Sequence, residues 1–407
     1  MCRRWRCIVF GSPRHLNLQL VCGTGTRARD LLDIWPAFPI TILSLDDHFT
    51  DDIIAALKRT DRVCQIYFRI VGSLDLDILM RRRFPELTSL RLWPAHKLQV
   101  FPDLFLGGSA SRLQDLYLAG IPFPGLPKLL LSATHLVTLH HLRIPHSRYI
   151  SSEGMVAALS TLTSLEYLSL GFESPRSYPD QASRRPPPKT RFALPVLTHF
   201  SFKGASEYLD DLVACIDAPR LNRLNITFFN DVVFDTPQLV RFISHTPKSK
   251  ALGKAYVTLQ DHTAMVDFSS QTSRYAEFKV TILCKGLDWQ VSSLEQICTS
   301  CLPPLSILED LYFHEDLDSQ PDWKDGIESI QWLGLFRSFI AVKNLYLSEN
   351  FASHIAPALQ ELVEDRTADV LPALQNIFLK GLKSSTRRVP SMKASGSSSR
   401  NRSPITL

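Results

Sequence analysis

One short pattern recurs through this chain at a nearly constant interval. In the segment Leu162–Leu170, LTSLEYLSL, three leucines follow the spacing L-x-x-L-x-L. The spacing returns every 24 to 34 residues, with its middle position at Ile66, Leu90, Leu116, Leu142, Leu168, Phe200, Leu224, Ala255, Val280, Leu311, Leu345 and Ile377. A chain with this period is expected to fold as a series of similar units, each burying its apolar face against its neighbours.

The period and the pattern together predict an α/β leucine-rich-repeat solenoid. Apolar alternation within each copy indicates a strand with one buried face, and the amphipathic segments between copies indicate helices. We therefore expect a curved, right-handed horseshoe with parallel strands on its concave face and helices outside. Because a solenoid lengthens without enlarging any single core, all the repeats among the 407 residues fit into one array.

Polar residues mark the expected starts of several helices. Ser73, Ser152 and Ser206 are expected to cap helices over 74–83, 153–161 and 207–216. Asp235 and Thr236 precede Pro237, which suits an N-cap followed by proline in the first turn of a helix that ends near residue 244. Further helices are predicted over 27–35, 50–59, 292–300, 327–339 and 354–364, and two less regular strands over 15–21 and 38–45.

Two segments do not follow the repeat. Residues 174–191 form a Pro-, Arg- and Ser-rich insertion, and residues 383–407 form a basic, Ser-rich tail; both are expected to be disordered because they have little to bury. The predicted organisation is a short amino-terminal remnant over 1–13, the solenoid over 14–382, and the tail.

Charge and composition narrow the possible partners. The tail holds six basic residues and no acidic one, more than the whole chain's net charge of +5, so the rest of the chain is slightly acidic. This argues against a nucleic-acid groove.

No apolar run reaches the roughly 18 residues of a membrane span, and the apolar run at residues 7–10 is too short for a signal peptide. With eight scattered cysteines, we expect an intracellular protein, cytoplasmic and/or nuclear, with no membrane or nucleic-acid partner.

Reactive residue types occur without the spacing that catalysis needs. Cys298 and Cys301 form one C-x-x-C pair, which could bind zinc or react with thiols, but no second pair accompanies it, and buried thiols are the favoured interpretation. The histidines at 135, 140, 141 and 146 could offer imidazole ligands, but 140 and 141 are neighbours in a strand and should point to opposite faces. No nucleotide, hydrolase or metalloprotease motif occurs. We expect no enzyme activity, no metal and no cofactor.

The concave face carries the strongest functional prediction. The residue after each middle position should point out of the core, and these twelve residues are Tyr67, Arg91, Tyr117, Arg143, Ser169, Ser201, Asn225, Tyr256, Thr281, Tyr312, Tyr346 and Phe378. Five of the ten tyrosines of the chain fall among them. Trp93, His141, Tyr167 and His199 are expected to flank them. Tyrosine favours strands in any case, yet Tyr, Arg, Trp and His together are typical of protein-binding surfaces. The sequence predicts that Tyr67, Arg91, Trp93, Tyr117 and Arg143 anchor a protein target.

The start of the chain adds a family resemblance. Cys2, Trp5, Ser12 and Pro13 stand where the last helix and exit of an F-box domain have a C-x-x-W core and a Ser-Pro turn, so the segment resembles fungal F-box and leucine-rich-repeat proteins. The resemblance implies a substrate receptor of a cullin-type (SCF) ubiquitin ligase, which holds a protein target on its repeats. The Leu-Pro-x-Glu segment and helices that contact the Skp-type adaptor are absent from this sequence, so adaptor binding is expected only if a complete F-box lies upstream of Met1. The alternative is an interaction scaffold with no ubiquitin role.

Overall fold

The structure is a computed structural model. It describes residues 4, 19–23, 27–34, 38–44, 51–70, 82–94, 100–145, 150–174, 191–229, 236–246, 252–273, 276–300, 302, 305, 307–315, 327–365 and 369–380. The F-box-like segment 1–13 apart from residue 4, the predicted helix over 74–83 up to residue 81, residues 175–190 of the insertion, and the tail from 381 lie outside the described residues.

Seventeen strands occur among the described residues. They are β1 Leu20–Gly23, β2 Ile40–Ser44, β3 Val63–Ile70, β4 Ser89–Pro94, β5 Asp115–Ala119, β6 Thr138–Ile144, β7 Tyr167–Phe172, β8 Phe192–Ala193, β9 His199–Gly204, β10 Ile216–Asp217, β11 Arg223–Phe229, β12 Leu252–Gln260, β13 Thr263–Ser270, β14 Phe278–Leu283, β15 Asp310–Glu315, β16 Asn344–Ser348 and β17 Asn376–Lys380. Fifteen form one sheet in the order β1-β2-β3-β4-β5-β6-β7-β9-β11-β14-β13-β12-β15-β16-β17, and β8 and β10 form a separate parallel pair.

Nine α-helices occur in the same described part of the chain. They are α1 Ala28–Ile34, α2 Asp51–Leu57, α3 Leu126–Ser132, α4 Ser152–Leu159, α5 Ser206–Ala214, α6 Pro237–His245, α7 Leu287–Ser300, α8 Ser329–Arg337 and α9 Glu349–Asp365. A short 3-10 segment, Phe105–Gly108, lies between β4 and β5. Among the described residues, no helix is both long enough and apolar enough to cross a membrane.

The repeat pattern decides which face of the sheet the helices cover. Ile66, Leu90, Leu116 and Leu168 are fully or almost fully buried, and they belong to one continuous apolar core with the buried residues of the helices. Burying such a side chain contributes about 1.5–3 kcal/mol. Residues that alternate with these point to the other side of the sheet, which we call the open face. The result is the predicted α/β leucine-rich-repeat solenoid: a large, mostly parallel sheet with helices on one side.

Helix starts differ in detail from their sequence predictions. The cap of α4 is Ser151 rather than Ser152, because the Ser151 hydroxyl accepts from the Gly154 amide at 3.1 Å. Pro237 stands in the first turn of α6 as expected, but the Thr236 side chain makes no capping bond. The Gln238 and Leu239 amides instead donate to Asp210 Oδ1 of α5, at 2.9 and 2.8 Å. The Asp210 side chain of α5 thus caps α6. It satisfies backbone amides of the first turn that the sequence pattern predicted Asp235 or Thr236 to cap.

The prediction of successive parallel repeats at Ala255 and Val280 is wrong in topology. Strand β12 pairs with β15, then the chain turns back through β13 to β14, which pairs with β11, so β13 alone runs antiparallel to its neighbours. The sequence did not indicate β13 because its hairpin turn, Asp261–His262, lacks the glycine or asparagine that usually marks a two-residue turn. Three strands therefore form an antiparallel meander within the parallel sheet.

The predicted centre of the fourth repeat is also wrong. Leu139, not Leu142, pairs with Leu116 and with Leu168. The segment LVTLHHLRI fits the repeat spacing in two registers, and the structure adopts the earlier one until a register shift between His141 and Ile144. Arg143 lies in this bulge with a φ of 52°, a left-handed conformation that few side chains adopt.

Candidate functional site

The open face carries one row of side chains that runs from β3 to β17. Pairing register aligns Tyr67, Arg91, Tyr117, His140, Ser169, Ser201, Asn225, Lys279, Asp267, Tyr256, Tyr312, Tyr346 and Phe378. Neighbouring strands lie about 4.8 Å apart, so consecutive members of the row can touch. Aromatic residues occupy its two ends, and small or charged residues occupy its middle.

The first aromatic cluster, which we call the amino-terminal patch, consists of Tyr67, Arg91, Trp93, Tyr117 and His140. The Arg91 guanidinium lies 5.6 Å from the centre of the Tyr67 ring, and Trp93 meets Tyr117 edge-on with ring centres 6.4 Å apart. Tyr117 and His140 are tilted, with centres 5.6 Å apart. Tyr67, Trp93, Tyr117 and His140 are half-buried and Arg91 is exposed. Arg91 covers part of the Tyr67 ring, but none of the ring–ring contacts is a parallel stack, and the half-buried rings remain partly accessible to a partner.

An acidic residue fixes the cation of the amino-terminal patch. Arg91 Nε donates to Asp115 Oδ2 at 2.7 Å, and the Ser89 hydroxyl donates to the same oxygen at 2.8 Å. The hydrogen bond to Asp115 raises the pKa of Arg91 above its ordinary value. The guanidinium is thereby held over Tyr67 in one position. Less side-chain entropy is then lost when a partner binds.

Two predicted members of this surface lie elsewhere. His141 occupies the third apolar position of its repeat, faces the core and is fully buried, so its placement on the open face is wrong. His140 takes the open-face position instead. Arg143 is exposed but lies beyond the register shift, so it is not in the row with Tyr117. His141 faces the core because Leu139, not Leu142, is the centre of its repeat, whereas Arg143 is displaced by the bulge that follows.

His141 is energetically unusual. Neither ring nitrogen has a hydrogen-bond partner, and burial lowers the pKa of His141 to about 4. A neutral imidazole in an apolar core avoids the cost of a buried charge but leaves its polar atoms unsatisfied, at about 1–3 kcal/mol. This position is a weak point of the core directly behind the amino-terminal patch.

A smaller contact lies near the centre of the open face. Tyr167 stacks on His199 of the neighbouring strand, with ring centres 4.2 Å apart and an interplanar angle of 13°. The Thr198 hydroxyl lies 2.8 Å from His199 Nδ1. Burial, and the nearby charge of Arg223, lower the pKa of His199. Tyr167 is 39% exposed and lies on the open face, where the sequence places it.

The second aromatic cluster, which we call the carboxy-terminal ladder, stacks Tyr256, Tyr312, Tyr346 and Phe378. Successive ring centres are 4.5, 4.2 and 4.6 Å apart, with interplanar angles of 14°, 7° and 12°. His314 lies nearly parallel to Tyr256 and Tyr312, with centres 5.7 and 5.8 Å away. The inner rings therefore cover one another and present mainly edges and hydroxyls, while Phe378 keeps an outer face exposed.

A row of amides and a carboxylate runs beside the ladder, one open-face position earlier in each strand. Asn376 Nδ2 donates to Asn344 Oδ1 at 2.9 Å, and Asn344 Nδ2 donates to Asp310 Oδ1 at 2.7 Å. Gln271 Nε2 donates to Asp310 Oδ2 at 3.1 Å. Its signal in the sequence is the Asp or Asn that stands two residues before each tyrosine of β15 and β16, which the leucine pattern alone does not mark. These bonds hold the three strands in register.

Burial and neighbouring charge disfavour ionisation of the ladder tyrosines. Burial raises the pKa of Tyr312 far above its ordinary value, and Tyr346 and Asp310 raise it further. Burial and Asp310 also raise the pKa of Tyr256. Both phenols consequently remain neutral hydrogen-bonding groups over a wide pH range.

The described residues include no group of side chains placed to hold a metal ion. Within them, no three His, Cys, Asp or Glu side chains lie close enough to hold a metal ion. Cys298 is buried in α7, while Cys301 and His146 lie outside the described residues. The open-face aromatics are thus the most distinctive chemical feature of the described surface.

Comparisons with known proteins give a structural likeness. No protein-family model matches the chain, and no curated protein matches it. Among solved structures, it is similar to the leucine-rich repeat-containing protein LegL7 from Legionella pneumophila, with 14% sequence identity, a TM-score of 0.32, and coverage of 76% of this chain and 88% of that one. The leucine-rich-repeat architecture itself follows from the repeat spacing and the strand order.

Proposed function

We propose that this chain is a protein-interaction scaffold and that its partner binds the open face. Solenoids of this kind act through extended surfaces built from successive repeats. The observation that carries the proposal is the amino-terminal patch, where Tyr, Trp and Arg side chains from three adjacent strands are held together by cation–π and edge-on contacts rather than by parallel ring stacking. These residue types supply most binding hot spots, because they bury large areas at low entropic cost.

The charges near the patch favour a protein over a nucleic acid. Arg91 is neutralised by Asp115 at 2.7 Å, and at the other end of the open face Asp310 accompanies the ladder. A nucleic-acid surface would present unpaired cations toward phosphates. A protein segment can use both features at once, placing apolar side chains against the rings and a polar group near the Arg91–Asp115 pair.

The more specific form of the proposal is a substrate receptor of a cullin-type ubiquitin ligase. Its support is the F-box-like segment, with Cys2, Trp5, Ser12 and Pro13 in the positions that the family uses. In this form, the open face holds the target and a Skp-type adaptor binds an F-box. A scaffold with no ubiquitin role remains the alternative.

The binding proposal is tested by separating affinity from stability. Partners are recovered by affinity purification from the source cell with the wild-type chain, with a Trp93→Ala/Tyr117→Ala variant, and with Trp289→Ala as control. Trp289 is 63% exposed on α7, on the helix side of the sheet. Each change in the patch is expected to cost about 2 kcal/mol of binding, or roughly 30-fold in affinity, with little loss of stability. A folded double variant that retains every partner would contradict the proposal.

The ligase role is tested with a purified Skp-type adaptor. We expect weak or no binding by the chain from Met1 and binding by a form extended upstream through any in-frame Leu-Pro-x-Glu segment. Sub-micromolar affinity of the unextended chain would contradict this expectation, and failure of an extended form to bind would favour the scaffold alternative.

A further inference from the structure

The last described strand has an unusual exposure pattern. Ile377 and Leu379 of β17 pair with Leu345 and Leu347, which are buried to 0% and 1% exposure, yet they themselves are 47% and 49% exposed. Phe378, between them on the open face, is 41% exposed. Three consecutive apolar residues are therefore accessible on both faces of one strand, which is uncommon at the edge of a soluble protein's sheet.

The outer edge of β17 also presents backbone hydrogen-bonding groups. No described strand pairs with this edge. The Asn376 amide donates toward β16, to the Lys343 carbonyl at 3.0 Å, so the N–H and C=O groups of Ile377 and Leu379 point the other way, toward the open edge. The edge can therefore accept one more strand through these two residues.

We infer that the occupant of this edge is β17 of a second copy of the chain, in antiparallel register about Phe378. In that register Ile377 of one copy faces Leu379 of the other, and both have outward amides, so the two pairs can exchange four hydrogen bonds. Phe378 then faces Phe378 of the second copy in a non-hydrogen-bonded pair, where Cα atoms approach to about 4.5 Å. A two-fold interface requires such self-complementarity.

Such a dimer would join the two open faces. The outer face of each Phe378 would cover the other, extending the carboxy-terminal ladder from one copy into the next. Two amino-terminal patches would then be carried by one assembly, and a partner with two binding segments would gain avidity without any new contact. This inference stands independently of the proposed function.

The first experiment measures the oligomeric state of the full chain by analytical ultracentrifugation across a concentration series. We expect a monomer–dimer equilibrium in the micromolar range, because a single strand pair makes a small interface. Ile377→Lys/Leu379→Lys should abolish the dimer, while Ile330→Lys, a matched change at a 68% exposed apolar residue of α8, should not. A monomer at every concentration, or a dimer that survives the double change, would overturn the inference.

The second experiment tests the register by crosslinking. Under mild oxidation Phe378→Cys should form an intermolecular disulfide, because a Cα separation of about 4.5 Å suits that bond. Asn376→Cys should not, since the two introduced thiols would lie about 14 Å apart along the strands. Wild-type chain treated in the same way controls for the native cysteines. Equal crosslinking at 376 and 378, or none at 378, would overturn the antiparallel register.

Discussion

The two aromatic clusters of the open face come from the same repeat position but interact in different ways. In the amino-terminal patch, Arg91 lies over Tyr67 and Trp93 meets Tyr117 edge-on. In the carboxy-terminal ladder, neighbouring rings are parallel and 4.2–4.6 Å apart. The ladder rings stack on one another from strand to strand, whereas the patch has no parallel ring stack and its half-buried rings stay partly accessible. Identical placement in the sequence can thus give a ring stack in one place and, under the proposed function, a binding surface in another.

Low pH should produce the largest difference in stability between the two clusters, because His141 lies in the core behind the patch. Its pKa is lowered to about 4, against about 6.5 in an unfolded chain, so only the unfolded state gains the proton between these values. Titration of His141 therefore leaves the free energy of unfolding unchanged above pH 6.5. As the pH is lowered toward 4, it reduces that free energy by about 3 kcal/mol. Urea unfolding at pH 7 and pH 4.5 should show this loss, and hydrogen exchange should locate it near β6.

The control for the acid effect is His141→Leu, which restores the apolar residue type of that repeat position. This variant should be at least as stable as the wild type at pH 7, since it removes two unsatisfied polar atoms. Its stability should depend less on pH between 7 and 4.5. An unchanged pH dependence would show that other groups control the acid response.

Removing one ring from each cluster should sharpen the contrast in stability. Tyr312→Ala deletes a ring stacked on both sides, by Tyr256 and Tyr346, and should lower the free energy of unfolding by about 2 kcal/mol. Tyr117→Ala removes only edge-on and tilted contacts and should cost less than about 1 kcal/mol. Urea denaturation at neutral pH measures both values, and equal losses would remove the distinction drawn between patch and ladder.

Alkaline conditions should reveal a smaller effect confined to the ladder. The pKa of Tyr312 is raised, so its contribution to stability is present below about pH 10 and declines as the pH rises above that value. Tyr312→Phe keeps the ring stack and removes the titrating group. The variant should lose less stability than the wild type between pH 8 and pH 11, by under about 1 kcal/mol because the phenol is partly exposed. A larger loss in the variant would contradict the assigned cause.

Periodicity was sufficient to predict the class of fold and the alignment of Tyr67, Arg91 and Tyr117. The pattern repeats in these strands without interruption, so the spacing and the pairing register agree. It was equally sufficient to place Tyr312, Tyr346 and Phe378 in one row. Whether neighbouring rings would stack or meet edge-on depends on side-chain torsions, which the spacing of residues does not encode.

The errors occur where the chain satisfies the pattern in more than one way. Around His141, two overlapping registers each place leucines inward, and the bulge at Arg143 decides between them. Around β13, three strands have apolar alternation, and the pattern cannot distinguish a hairpin from two successive repeats. Both outcomes depend on neighbouring strands, so local sequence cannot determine them.

The antiparallel meander has a consequence for how the chain can be assembled. A regular repeat array can grow from either end, because each new unit needs only the one before it. Here β11 pairs on its outer side with β14, which follows β12 and β13 in the chain, so we expect an intermediate that ends between residues 252 and 283 to lack the strand that completes β11. The array should therefore behave as two cooperative segments fused by a three-strand block that folds all at once. Truncation after β11 should remove the whole block and every later strand, whereas truncation after β16 should remove only α9 and β17.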